Sequence, residues 1–186
     1  MNPILLDFPD HFETERLFIR APKPGDGKFF YEAVLASQNE LKPWLAFAQE
    51  TPTLENSEVM VREAHVNFLT RKDLRLMVFL KETGEFIATS GLHRIDWDVP
   101  KFEIGYWVHS EHTGKGYITE AVQAISDFAF EELHARRVEI RCDRKNLKSR
   151  AVAERLHFEL EAILKQDSVA EDSSELRDTC IYAKIK

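Results

Sequence analysis

Cysteine is scarce in these 186 residues. Only Cys142 and Cys180 occur, far apart in the chain and with no Cys-x-x-Cys spacing. That excludes a disulfide framework and a cysteine-built zinc site, and no bound metal is expected. Positive charge is not in excess either. The formal net charge of −7 argues against a nucleic-acid coat protein, which would be basic. An acidic surface suits a cationic partner, such as an amine or a basic peptide, or simply keeps the protein in solution. Long apolar runs are also missing. Nothing approaches the roughly 20 residues of a membrane span, and the opening MNPILLDFPDHF lacks a basic head and an apolar run. The expectation is a cytoplasmic protein with neither a membrane nor a nucleic-acid partner. What is present is a globular composition: 44% hydrophobic against 31% charged residues rules out a disordered chain. No repeat, low-complexity tract or Pro/Ser linker divides it, so one domain over 1–186 is expected, long enough to hold a core and a ligand cleft.

Hydrophobic spacing gives the order of elements. RLFIRAP (16–22) alternates as a strand and stops at proline. Phe29, Phe30, Ala33, Val34 and Ser37 have helical spacing, as do Val59, Val61, Ala64, Phe68 and Leu69. Between them LKPWLAF is irregular or a short helical piece. Two apolar runs then flank Glu82-Thr83-Gly84, a hairpin signal, and KFEIGYWVHS follows as a third antiparallel strand. Ile118, Ala121, Val122, Ile125, Phe128 and Ala129 mark a long helix. RRVEIRCD reads as a strand, LKSRAVAERLHF as a helix, and FELEAILKQ and DTCIYAKI as the last strands. The acidic DSVAEDSSELRD (167–178) between them reads as an exposed loop. The order β-α-α-β-β-β-α-β-α-β-β is that of an α+β domain with a mixed, mostly antiparallel sheet flanked by helices.

The stretch HSEHTGKGYITEA (109–121) carries Gly114 and Gly116 directly before the long helix. A Walker A loop needs Ser or Thr after Gly-Lys, and Gly116 stands there; a dinucleotide fingerprint needs glycine where Thr119 stands. Both motifs fail. Yet a glycine loop at a helix start still exposes unpaired N–H groups. Residues Gly114, Lys115, Gly116, Tyr117, Ile118 and Thr119 are therefore either a pyrophosphate cradle or a tight strand-to-helix turn.

The strand FEIGYWV, this loop, its helix, and the segment NLKSRAVAERLHF in that order resemble the GNAT family of acetyl-CoA-dependent N-acetyltransferases, in its RimJ/RimL-like branch. The likeness spans roughly 12–186, including EIGYW and the ending DTCIYAKI. In the family's loop pattern Gly116 matches, while Thr113 and Ile118 depart. The resemblance implies the GNAT fold, a sheet splayed at its centre with acetyl-CoA in the splay. It implies direct attack of an amine on the acetyl thioester, with a protein N-terminal amine of the ribosomal-protein type as acceptor. Small amines or antibiotics are the alternative acceptors. A non-catalytic acetyl-CoA-binding module and, more remotely, a nucleotide-hydrolysing enzyme are alternative functions. The chain is expected as a monomer or homodimer.

The resemblance also implies roles for particular residues. The loop residues 114–119 bind pyrophosphate through their N–H groups, and the Lys115 side chain either adds charge or is merely solvated. The strand with Tyr106, Trp107 and Val108 lies along the pantetheine arm, and Gly105 allows a close approach there or eases packing. Glu103, on the opposite strand face from Phe102, Ile104 and Tyr106, is the candidate general base, or else a surface carboxylate or one that holds the amine. His109 and Asp167 rank behind it. The family's acid tyrosine would fall at Ala153, so Ser149 is the candidate relay at the sulfur, unless it caps its helix. Asn146 binds cofactor or caps the same helix. The basic residues between Arg136 and Arg155 either receive the 3′-phosphate of CoA or form a solvated face. Trp44 and Phe47 line the acceptor site or belong to the core.

Overall fold

The computed structural model describes residues 2–186. The strands are β1 (His11–Glu13), β2 (Leu17–Arg20), β3 (Leu74–Leu80), β4 (Phe86–Asp96), β5 (Lys101–Val108), β6 (Arg137–Asp143), β7 (Glu159–Val169) and β8 (Leu176–Ile185). The α-helices are α1 (Gly27–Leu41), α2 (Leu54–Leu69), α3 (Tyr117–Glu131) and α4 (Leu147–Arg155). All eight strands join one sheet in the order β1-β2-β3-β4-β5-β6-β8-β7. Every neighbouring pair is antiparallel except β5 and β6. The long α3 crossover between those two is what parallel strands require.

Helix periodicity and burial coincide. In α3, Ala121, Val122, Ile125, Phe128 and Ala129 are buried, and Ile125 is fully enclosed, a burial worth about 1.5–3 kcal/mol over exposure. This stripe and Val152, Ala153 and Leu156 of the α4 region cover one sheet face, with Leu76, Val78, Leu92, Phe102, Ile104, Val138 and Ile140 beneath. On the other face α1 and α2 set Phe30, Ala33, Val34 and Val61 against Met77, Phe79, Phe86 and Trp107. Strand β5 therefore sends Phe102 and Ile104 to one core and Trp107 to the other.

Two expectations are corrected. The three residues of β1 pair with β2 through Phe12↔Ile19 and its neighbours; so short a strand leaves no alternation to read. The acidic stretch 167–178, expected as an exposed hairpin loop, is half strand. Ser168 pairs with Arg177 and Val169 with Leu176, which leaves a turn over 170–175. Main-chain pairing on a solvent-facing hairpin arm does not require apolar side chains, so composition misleads there.

Candidate active site

The site begins where β5 and β6 part. They pair only at Lys101↔Arg137, Phe102↔Val138 and Glu103↔Glu139. Beyond Glu103, β5 bonds only to β4, and beyond Glu139, β6 bonds only to β8. A wedge thus opens toward the C-terminal ends of both strands, with a free β5 edge along Ile104–Val108. The starts of α3 and α4 flank its mouth.

The glycine loop closes the α3 side. Gly114 and Gly116 have φ of +76° and +80°, the left-handed region that favours glycine. The first α3 bond outside the helix proper runs from the Glu120 N–H to the Gly116 carbonyl. Among the described residues, the N–H groups of Gly114, Lys115, Gly116, Tyr117, Ile118 and Thr119 donate to no protein acceptor. Six successive free donors at a helix N-terminus fit a pyrophosphate. From 99 positions or more upstream, Arg16 and Thr14 brace this loop, which the motif alone did not reveal. The Arg16 guanidinium donates to the Lys115 carbonyl (3.1 Å) and to Glu120 Oε2 (2.6 Å), and lies 4.5 Å from the Tyr117 ring centroid. Thr14 Oγ1 donates to Glu120 Oε1 at 2.6 Å. Burial alone would raise the Glu120 carboxyl, but the bonds from Thr14 and Arg16 together hold it below the usual carboxylate range. It therefore stays charged and keeps Arg16 in place. The Lys115 ammonium lies 3.5 Å from His112 Nδ1.

Glu103 lies at the apex, on the α1/α2 face. Its side chain is 19% exposed, with Arg94 at 3.3 Å. An extra β4 residue between the pairs His93↔Glu103 and Asp96↔Lys101 makes a bulge, and Arg94 takes a φ of +46° there. Such bulges re-aim side chains, here toward Glu103. Burial pushes the Glu103 carboxyl up against the opposing pull of Arg94 and Arg141. Burial prevails because Arg94 is 71% exposed and solvent screens it. A proton-accepting carboxylate tuned upward is a familiar property of functional sites.

Across the wedge, Ser149 Oγ lies 2.9 Å from the Tyr106 hydroxyl, which also donates to the Ser149 carbonyl. Ser149 does not cap α4. Asn146 does, its Oδ1 accepting from the Ser149 N–H at 3.1 Å, so the Asn146 oxygen is occupied by the helix. The Tyr106 side chain therefore serves this cross-wedge bond, its phenol pushed up by burial. Cys142 shares the spot, its thiol raised to about 11 by burial against a bond from Ser149. Trp107 packs among Phe30, Phe47 and Phe86, and Val108 packs against the α3-side core. Val108 offers the wedge its backbone rather than its side chain, whereas the Trp107 main chain, two positions before the His109 N–H that donates to the Ile87 carbonyl, faces β4.

The remaining candidates do not converge. His109 lies past the end of β5, its Nδ1 accepting from the Glu111 N–H. Asp167 faces Arg141 at 3.5 Å on β7. Phe47 belongs to the aromatic core, and Trp44 lies under Arg177, which pairs with Asp143 and donates to the Pro43 carbonyl. Most of the basic run is neutralised: Arg137, Arg141, Arg144, Lys145 and Arg150 pair with acids. Among the described residues only Arg136, Lys148 and Arg155 of that run lack an ion partner, and Lys148 lies in the first turn of α4. Among the described residues no cluster of three His, Cys, Asp or Glu groups could hold a metal, and no helix is long and apolar enough to cross a membrane.

Known proteins are similar to this chain in sequence and in fold. The acetyltransferase (GNAT) domain model matches residues 16–159. The chain is 33% identical over 146 residues to the Bacillus subtilis (strain 168) protein named "Putative ribosomal N-acetyltransferase YdaF", covering 78% of this chain and 79% of that one. It is 29% identical to the ribosomal-protein-serine acetyltransferase of Escherichia coli (strain K12), covering 92% and 94%. In fold it is similar to the microcin C7 self-immunity acetyltransferase MccE, solved with acetyl-CoA and AMP: TM-score 0.87, 20% identity, coverage 96% and 98%.

Gly116→Asp tests the cradle. Asp tolerates the left-handed conformation better than most residues, so the loop should form while a negative charge enters the donor array. Calorimetry is expected to show acetyl-CoA affinity falling at least about tenfold, ~1.4 kcal/mol. Unchanged affinity would remove pyrophosphate from this loop.

Proposed function

The chain belongs to the GNAT acetyltransferase family, and from that premise we propose that this acetyl-CoA-dependent N-acetyltransferase acts on a protein N-terminal amine of the ribosomal-protein type. The observation that carries the acceptor class is the likeness to two relatives named for ribosomal acetylation, one of them along nearly the whole chain. The acidic net charge of −7 favours a basic protein partner.

Acetyl-CoA, when bound, supplies the activated acetyl thioester. The N–H groups of residues 114–119 bind its pyrophosphate, and Lys115 adds charge there. The free β5 edge along Tyr106, Trp107 and Val108 aligns the pantetheine arm, with Tyr106 and Val108 supplying the main-chain bonds. Lys148, free of ion partners, is the residue placed to meet the 3′-phosphate. Glu103 accepts a proton from the amine through water, since its raised carboxyl holds protons better than an exposed one. Ser149 Oγ, fixed by the Tyr106 hydroxyl, stands at the departing sulfur. A serine hydroxyl both donates and accepts, so it relays a proton rather than supplying one. Asn146 acts through the helix cap that orients Ser149.

Thioester consumption with peptides of different N-termini, set against small amines, tests the acceptor. Turnover confined to peptides is expected. Turnover only on small amines would move the reading to a small-molecule enzyme, and binding without any turnover would favour an acetyl-CoA-binding module.

Ser149→Ala is expected to lower kcat by about tenfold to a hundredfold with little change in Tm, because Asn146 caps the helix. Asn146→Ala should instead cost about 1 kcal/mol of stability. Equal stability losses in both would reduce Ser149 to a structural role. Since the base must be ionised, activity falls as pH drops through the Glu103 pKa. Arg94→Ala removes a cation that lowers that pKa, so the acid limb of kcat/KM should move to higher pH. A limb that stays in place would mean another group sets it.

A further inference from the structure

We propose that Asp73 and His93 form a second proton-accepting site of the transfer, the one that deprotonates the incoming acceptor ammonium. This rests on N-acetyl transfer as the activity and adds a pair of residues to it. An α-amino group has a pKa of about 7.7–8.0, so near neutral pH much of the acceptor arrives protonated and cannot attack. As the C–N bond forms and the C–S bond breaks, the nitrogen gives up two protons in all. The departing sulfur takes one. Glu103 and the Ser149 relay account for that one, passing on what the nitrogen releases. The other must reach solvent, and Glu103, mostly buried and facing Arg94, is poorly placed to release it.

His93 is the cross-strand neighbour of Glu103. Its Nδ1 lies 2.6 Å from Asp73 Oδ2, and Asp73 Oδ1 accepts the Arg75 N–H at 3.1 Å. Both carboxylate oxygens are thus committed. An ionised carboxylate only accepts, so the shared proton belongs on Nδ1 and the lone pair of neutral His93 is on Nε2. Among the described residues Nε2 has no hydrogen-bond partner. The ring extends over β5 at the one residue that permits it: a Cβ on Gly105 would stand 2.9 Å from His93 Cδ2 and 3.2 Å from Nε2. Gly105 therefore lets the imidazole lie across the strand beside Glu103.

Asp73 also borders an open recess of about 200 Å³ between α2 and β3, with Met60, Glu63, Ala64, Asn67 and Arg75. That recess is a way out for the proton. The charged groups bordering the pair are Glu63 from α2 and Arg75 from β3, which line the recess with Asp73, and Glu103 from β5, which interacts with His93; Arg94, Glu139 and Arg141 in turn act on Glu103.

His93→Asn and Asp73→Asn, assayed with a peptide acceptor across pH, test this. In His93→Asn, kcat/KM should fall about tenfold or more near pH 6.5. It should rejoin the wild-type value within about twofold above pH ~9, where the acceptor arrives neutral. Asp73→Asn should show the same convergence from a smaller loss. Acetyl-CoA affinity by calorimetry should not change in either variant. No loss at any pH, or the same fold loss at every pH, would overturn the proposal, the latter indicating a packing role. Glu103→Gln with the same acceptor keeps the two readings apart. Full activity in that variant would sink Glu103 as base while the His93 profile stands, and a flat His93→Asn profile beside an inactive Glu103→Gln would sink this proposal alone.

Discussion

The organising constraint is how briefly β5 and β6 pair. Three register positions, ending at Glu103↔Glu139, hold the two halves of the sheet together at one end. The same strands are then free to diverge. Everything in the site follows from that divergence. A continued ladder would use up the β5 edge and close the wedge. Because the pair is parallel, both strands also deliver their C-terminal ends to the same side, and the helix starts that follow them bring unpaired N–H groups to the opening.

The site is polarised by this geometry. On the α3 side lie main-chain donors held by a distant Arg16–Glu120 brace. On the α1/α2 side lie Glu103, His93 and Asp73, brought into line by the β4 bulge and by Gly105. The two sides suit the two substrates proposed above: an anion with many oxygens needs donors, and an ammonium needs proton acceptors. Between them the Tyr106–Ser149 bond links β5 to α4 across the gap. The ion pairs along β6, β7 and β8 take most of the basic run out of play, so the free donors at the mouth of the wedge are mainly backbone N–H groups.

Much of the fold was legible because it rests on periodicity. The α3 stripe and the hairpin at Gly84 are local patterns, and both are present as read. β1 was not legible, since three residues carry no period. The arms of the β7–β8 hairpin were hidden by acidic composition, because ladder bonding there is indifferent to side-chain polarity. At the site, the glycine loop was legible from its spacing and its place before a helix. Arg16, the Tyr106 hydroxyl and the Asp73–His93 pair were not. Each acts on a partner 20 or more positions away in the chain, and nothing local marks such a pairing.

By itself, then, the sequence determined the order of elements from β2 onward, the apolar stripe of α3, and a glycine loop at that helix's start, because hydrophobic period and glycine spacing are properties of short segments. Only the tertiary structure decided which polar groups are spent and which remain free. Ser149 turned out to be released from capping by Asn146, the basic run neutralised, and His93 left with an unpartnered nitrogen. Those outcomes depend on distances between strands that share no local signal, and burial and pairing, which set proton affinity, exist only once the sheet has formed.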